Sequence, residues 1–219
     1  MLVGLVSDIH GNKPALDAVL DDMPAVDALA CAGDVVGYNP WPGACVDAMR
    51  ERDAVSIRGN HDRAVVTETG FSFNSMAGAG VEHARDRLTD RQFAWLDALP
   101  TERTAFGGRV KLVHGHPDDP DRYTYPGLFS ERLLGDEDVL VMGHTHVQHH
   151  ERYDAGVVVN PGSVGQPRDG DPDAAYALLD TETLEVEERR VAYDVERVVA
   201  RVREEGLPDE IGTRLRKGR

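Results

Sequence analysis

The sequence predicts an α/β fold whose first half is built on a parallel sheet. Three observations carry this. Apolar runs at Val3 to Val6, Val26 to Ala32 and Ala54 to Arg58 alternate with two stretches of helical periodicity. Each run stops in a polar turn that holds Asp, His or Asn beside a glycine. The strand–helix–strand–helix–strand spacing is that of a parallel unit with crossover helices.

The elements follow in order. Val3 to Val6 is an unbroken apolar run, as expected of a strand buried on both faces. Asn12 caps the next helix, Pro14 sits in its first turn, Leu16, Val19, Leu20 and Met23 give its apolar face, and Pro24 ends it. The second strand ends at Gly33-Asp34, and a loop rich in glycine, proline and aromatics runs from Gly37 to Gly43. Cys45, Ala48 and Met49 mark the second helix, and the third strand runs straight into Gly59-Asn60-His61-Asp62. Ser75 to Arg87 reads as helix, and Thr89 to Gln92 as a capping box for another that Pro100 closes.

The second half reads as strands. Thr101 to Phe106 and Arg109 to Val113 flank a Gly107-Gly108 turn, and the second of them ends in His114-Gly115-His116. Val139 to Met142 leads to Gly143-His144-Thr145-His146, and Val157 to Val159 to Asn160-Pro161-Gly162-Ser163. A final hairpin spans Ala174 to Leu179 and Leu184 to Val191, and an amphipathic helix covers Val195 to Glu205. One domain is expected over residues 1–205, with a loose polar tail over 206–219.

Composition narrows the setting. The 219 residues carry a net charge of -15 with only three lysines, Lys13, Lys111 and Lys217. No acidic block accounts for the charge, so an evenly acidic surface is expected, as in a protein of a high-salt cytoplasm. Such a surface argues against a general electrostatic grip on nucleic acid. The two cysteines imply no disulfide framework, and neither a leader nor a run of about 20 apolar residues is present. A soluble cytoplasmic protein is the expectation, and a homo-oligomer is left open.

The chemistry lies in the strand-ending turns. Asp8/His10, Asp34, Asn60/His61, His114/His116 and His144/His146 each follow an apolar run and lie beside glycine. Any one of them is ordinary, because a lone histidine is most often satisfied by one local hydrogen bond. Five in one chain point to a shared site at the C-terminal edge of the strands. Carboxylate, imidazole and amide oxygen without thiolate suit Mn²⁺, Fe or Zn²⁺ better than an all-oxygen or all-sulfur site. The ligands are too many for one ion and about right for two.

The ordered set Asp-x-His, Gly-Asp, Gly-Asn-His-Asp, His-Gly-His and Gly-His-Thr-His resembles that of the calcineurin-like metallophosphoesterases, nearest their small prokaryotic phosphodiesterase-like branch. The resemblance implies a four-layer sandwich, two mixed β-sheets face to face with helices outside. It implies that Asp8, His10 and His146 bind a first metal, that Asp34 bridges, and that Asn60, His114 and His144 bind a second. The pair would be two divalent ions, Mn²⁺ first, with Fe, Zn²⁺ or Ni²⁺ as alternatives. His61 would be the catalytic histidine beside the scissile phosphate, with Asn60 and Asp34 in the same machinery. The implied reaction is hydrolysis of phosphodiesters or small phosphorylated metabolites by in-line attack of a metal-bridging hydroxide. Alternatives on the same fold are a protein or dinucleotide phosphatase, or an idle interaction module like the related retromer subunit.

One departure stands out. Many relatives carry an aspartate three residues after the bridging one, to orient the histidine, and here that position is Gly37. Asn39 or a backbone carbonyl is expected to substitute. His116, Tyr38 and Arg168 are weaker candidates for substrate contact, with turn packing, core packing and a solvated loop as their plain alternatives. Tyr38 and Trp41 would suit a base or aromatic leaving group. Asn160 and Ser163 are expected to stabilise a turn near the site.

Overall fold

A computed structural model describes residues 1–67 and 74–219. The order is β1 (Leu2–Val6), α1 (Lys13–Asp22), β2 (Ala28–Cys31), α2 (Pro42–Glu51), β3 (Val55–Ser56), α3 (Asn60–Thr67), α4 (Ser75–Arg87), α5 (Asp90–Asp97), β4 (Glu102–Ala105) and β5 (Val110–Val113). There follow β6 (Val139–Val141), β7 (His149–Arg152), β8 (Val157–Asn160), β9 (Ala174–Asp180), β10 (Glu185–Val191), α6 (Val195–Glu204) and α7 (Asp209–Thr213). The strands form two five-stranded sheets, ordered β10-β9-β1-β2-β3 and β4-β5-β6-β8-β7. In the first, β1, β2 and β3 run parallel; in the second, β5, β6 and β8 do.

Strand alternation builds the layers. Val3 and Leu5 of β1, Ala30 of β2, Val139 and Val141 of β6, and Val157 and Val159 of β8 meet between the sheets. The opposite faces, with Val6, Cys31 and Tyr176, pack under Leu16, Val19, Met49 and Leu96 of the helices. The outer face of the second sheet, with Leu140, Met142 and Val158, is covered by Phe129, Leu133 and Leu134. Two 3₁₀ turns, Pro126–Leu128 and Glu131–Leu133, hold Leu133 and end at Phe129 and Leu134, so the expected four-layer sandwich is present with a thin outermost layer.

The expected caps form. Asn12 accepts from the Ala15 amide at 3.2 Å, and Thr89 and Gln92 make a reciprocal capping box. The second and third strands are shorter than their apolar runs, and at their C-terminal ends this is because the chain turns into the candidate ligand loops. β7 was not expected: His149 to Arg152 contains no apolar residue, and its strand character comes from antiparallel pairing with β8. The expectation of a loose tail after Gly206 is corrected. Leu207, Ile211 and Leu215 are buried against Val198, Val202 and the ring of Tyr38. Three apolar residues at spacing four among charged neighbours are enough to dock one side of a helical segment.

Candidate metal centre

The parallel strands end at one edge, and their turns interlock there. The amides of Asp8, His10 and Gly11 donate to the carbonyls of Gly33, Asp34 and Val35, zipping the turn after β1 to the turn after β2. The amide of Gly143 donates to His114 O, and that of His144 to Oδ2 of Asp8 at 3.0 Å. Ser163 Oγ donates to Asp8 O, and Asn160 Nδ2 donates to Gly143 O and Thr145 Oγ1, so both stabilise turns at the site.

These connections bring the predicted ligands together in the interior. Asp8, His10 and His146 form one group of mutually close donor atoms, and Asp34, His114 and His144 another. Nε2 of His146 lies 3.3 Å from Oδ1 of Asp8 and 3.2 Å from Nε2 of His10. Oδ2 of Asp34 faces both groups, 3.7 Å from Nε2 of His10 and 3.3 Å from Nε2 of His114. Oδ1 of Asn60 lies 3.0 Å from that same His114 nitrogen.

Hydrogen bonding around the cluster orients its donor atoms. Nδ1 of His10, His114 and His146 lies against the carbonyls of Val36, Ala32 and Gln166, at 3.2, 2.8 and 2.6 Å. A carbonyl only accepts, so each Nδ1 carries the hydrogen and each Nε2 is directed inward, the arrangement of metal-ligating histidines. His144 is reversed: its Nε2 donates to Asp121 O at 3.1 Å, leaving Nδ1 as the ligand atom. Oδ2 of Asp8 accepts from Ser7 Oγ and the His144 amide, whereas its buried Oδ1 has no hydrogen-bond partner. A buried oxygen facing His146 with no donor is what a cation would satisfy, so the donor set fits divalent metal.

The backbone is strained here. Nine non-glycine residues among those described have positive φ, and Asp8, His10, Asp34, Tyr38, His144 and His146 are six of them. Each such conformation costs about 1–3 kcal/mol and persists where surrounding structure enforces it. The electrostatics agree. Burial raises Asp8 to about 6. Burial would also raise Asp34, but the facing His114, His61 and His10 outweigh it and hold that carboxyl well below the usual range. His114 rises to about 10 against its burial because of Asp34. Burial lowers the other rings, His61 to about 4 and His144 to about 3, with His10 and His146 well below the ordinary value.

His61 stands beside the cluster, its ring centroid 4.7 Å from those of His10 and Tyr38. Gly37 lies directly under it: a Cβ there would sit 2.5 Å from His61 Nδ1, and φ is +102°. A side chain at the position where relatives carry aspartate is therefore excluded by the approach of the ring. Asn39 does not substitute; its Nδ2 donates to His10 O and Gly165 O. Nor does Asp62, whose oxygens accept from the Val36 and Gly59 amides and tie α3 to the turn after β2.

The cluster opens into a cleft of 130 Å³ lined by Asp34, Tyr38, Asn60, His61, Tyr123 and Arg168, among others. Tyr38 and Arg168 thus lie at the site. Arg168 Nη2 donates to Tyr38 Oη and Gln166 Oε1, and among the described residues no carboxylate lies within ion-pair distance of it. His116 is not brought in. Its Nδ1 accepts from the Asp118 amide, and it lines two surface hollows with Asp118, Arg132 and Leu133. Tyr123 and Asp121 escaped the sequence reading. The available signal was Tyr123-Thr124-Tyr125, an aromatic pair in the loop that follows the His114 turn.

Fold and site together define a calcineurin-like phosphoesterase. The profile of the calcineurin-like phosphoesterase superfamily domain matches residues 1–184, and the chain belongs to that family of enzymes. It is 31% identical to an uncharacterized protein of Methanocaldococcus jannaschii, MJ0912, over all of this chain and 98% of that one. It is 28% identical to the phosphodiesterase YfcE of Escherichia coli, over 92% of this chain and 97% of that one. A crystal structure of a metallophosphoesterase from Sphaerobacter thermophilus superposes with a TM-score of 0.88 at 33% identity, covering 100% and 99% of the two chains. No helix among the described residues is long and apolar enough to cross a membrane.

Proposed function

We propose that the protein holds two divalent cations and hydrolyses phosphodiesters or small phosphorylated metabolites. Asp8, His10, Asp34 and His146 would hold one ion, and Asp34, Asn60, His114 and His144 the other. The observation that carries this reading is Oδ2 of Asp34, one carboxylate oxygen facing His10 at 3.7 Å and His114 at 3.3 Å. Imidazole, carboxylate and amide oxygen without thiolate favour Mn²⁺, with Fe, Zn²⁺ or Ni²⁺ as substitutes. Bound there, the cations would supply Lewis-acid polarisation of a phosphoryl oxygen and acidify water.

The remaining steps belong to the chain. Arg168, free of carboxylates among the described residues, orients the phosphate at the cleft mouth. Asn60 presents its amide to the same region. Burial keeps His61 neutral, so it arrives able to donate an N–H to a phosphoryl oxygen, and an anionic ester beside it raises its affinity for a proton. Protonated from solvent once the ester is bound, the imidazolium would then give that proton to the leaving oxygen and return to the neutral ring. The full ligand set argues against an idle interaction module. The catalytic unit extends through the tail, because Ile211 and Leu215 pack behind Tyr38. The net charge of -15 with three lysines supports work in a high-salt cytoplasm. The test is hydrolysis of bis(p-nitrophenyl) phosphate by metal-stripped protein with Mn²⁺ returned, at molar KCl. Mn²⁺-dependent turnover is expected, and turnover no greater than that of Asp34→Asn rejects the reading.

A further inference from the structure

We infer that Tyr123 and Tyr125 form a stacking platform for a planar aromatic group, a nucleobase or aryl ring, carried by the ester bound at the metal centre. The inference rests on the phosphoesterase reading above and names the substrate class. Tyr123 lines the cleft, and its ring stacks on the candidate ligand His144 at 4.0 Å and 24°. Tyr125 continues the ladder outward, 5.9 Å from Tyr123 and nearly parallel at 12°. Both are exposed, at 45% and 49%, and with Leu128 and Met1 they make up the exposed large hydrophobics among the described residues. Three of those four lie in one six-residue stretch, which Tyr123 ties to the cleft. Clustered apolar exposure of that kind marks a binding surface rather than packing.

The loop is set before any ligand arrives. Arg63 grips both carboxylate oxygens of Asp121, at 2.6 and 2.7 Å, and His144 Nε2 donates to Asp121 O. Gly115 lets the loop lie close on the end of β5, since a Cβ there would meet Pro120 O at 2.5 Å and Arg122 O at 2.7 Å. Rings fixed in advance lower the ordering cost of binding. Across the cleft Arg168 offers a cation, so the occupant carries an anion at one end and a flat apolar face at the other. A nucleoside phosphate or aryl phosphate meets both demands. Aromatic faces accept any base, so the platform gives class specificity without choosing among bases.

The experiment titrates Mn²⁺-loaded protein calorimetrically with AMP and with ribose 5-phosphate, which differ by the base. AMP is expected to bind roughly 5- to 150-fold more tightly, the range of one base stacked on aromatic rings. Tyr125→Ala and Tyr123→Ala bring the two ligands close to equality, while Tyr125→Phe keeps the preference. Equal affinities in the parent protein, or a preference that survives both alanine variants, overturn the platform. A normal AMP preference without diester turnover defeats the enzyme reading and leaves the platform standing; turnover without the preference defeats the platform alone.

Discussion

The amide of His61 donates to Oδ1 of Asp34 at 2.8 Å, so the carboxylate that faces both His10 and His114 also fixes the start of the helix that carries the candidate catalytic histidine. Asp34→Asn keeps the size and one acceptor oxygen but removes the charge facing His10 and His114. The expected result is loss of at least one bound metal per chain and a fall in kcat of at least about 100-fold, since even residues behind the ligands are worth 10–100-fold. Elemental analysis beside steady-state kinetics checks both. His61→Ala should separate the roles, retaining both metals while lowering kcat by about 10²–10⁴-fold.

Gly37 sits where neither a side chain nor ordinary backbone fits, given its φ of +102° and the His61 ring above it. Gly37→Ala should destabilise the fold by about 1–3 kcal/mol and reduce kcat by displacing His61. Gly37→Asp, which installs the residue many relatives carry, should be less active than the parent protein. Denaturant unfolding and kinetics on the pair provide the check.

The histidines predict a pH profile for the metal-free protein. His61, His144, His10 and His146 stay neutral when folded, chiefly through burial, well below the 6.5 of an unfolded chain. As pH falls from 6.5 toward about 4, the unfolded chain takes up protons that the native chain refuses, and stability drops. Asp8 and Asp62, raised to about 6 and about 7 by burial, act in the opposite sense over that range, but they are two groups against four. Above neutrality His114 dominates. Its proton, held to about 10 beside Asp34, stabilises the native state and is lost as pH rises. Thermal unfolding of stripped protein should therefore be most resistant near pH 7 and weaken on both sides. His144→Asn should flatten the acid limb. Metal binding must displace the His114 proton, so Mn²⁺ affinity should rise with pH above 7.

The ordered tail makes a further prediction. Leu215 is fully buried in the cluster that backs Tyr38. Leu215→Ala should cost about 2–5 kcal/mol of stability, as large-to-small core changes do. A loose tail would give no change in the midpoint of urea unfolding.

Much of this was legible in the chain. Buried parallel strands announce themselves as apolar runs, and their abrupt polar ends at Asp8, Asp34, Asn60, His114 and His144 pointed to one shared edge, where the candidate ligands break local rules. The left-handed backbone at Asp8, His10 and His144 is that same conflict in structural form. What could not be read depends on long-range contact. β7 has no apolar pattern and exists through pairing. The tail reads as polar because three apolar residues among seven charged or polar ones look like surface until a partner face is known. Arg168 reads as a solvated loop residue until the fold carries it to Tyr38. Tyr123 gains meaning only when its loop folds back onto His144, and His116 loses it because its turn faces away.

The shared role of Asp34 is tested most directly by anomalous diffraction from crystals of the protein soaked with Mn²⁺. The account predicts two anomalous peaks roughly 3.5–4 Å apart, as in two-metal phosphatase sites, one beside Asp8, His10 and His146, the other beside Asn60, His114 and His144, with the Asp34 carboxylate between them. A single peak, or peaks away from Asp34, would contradict it.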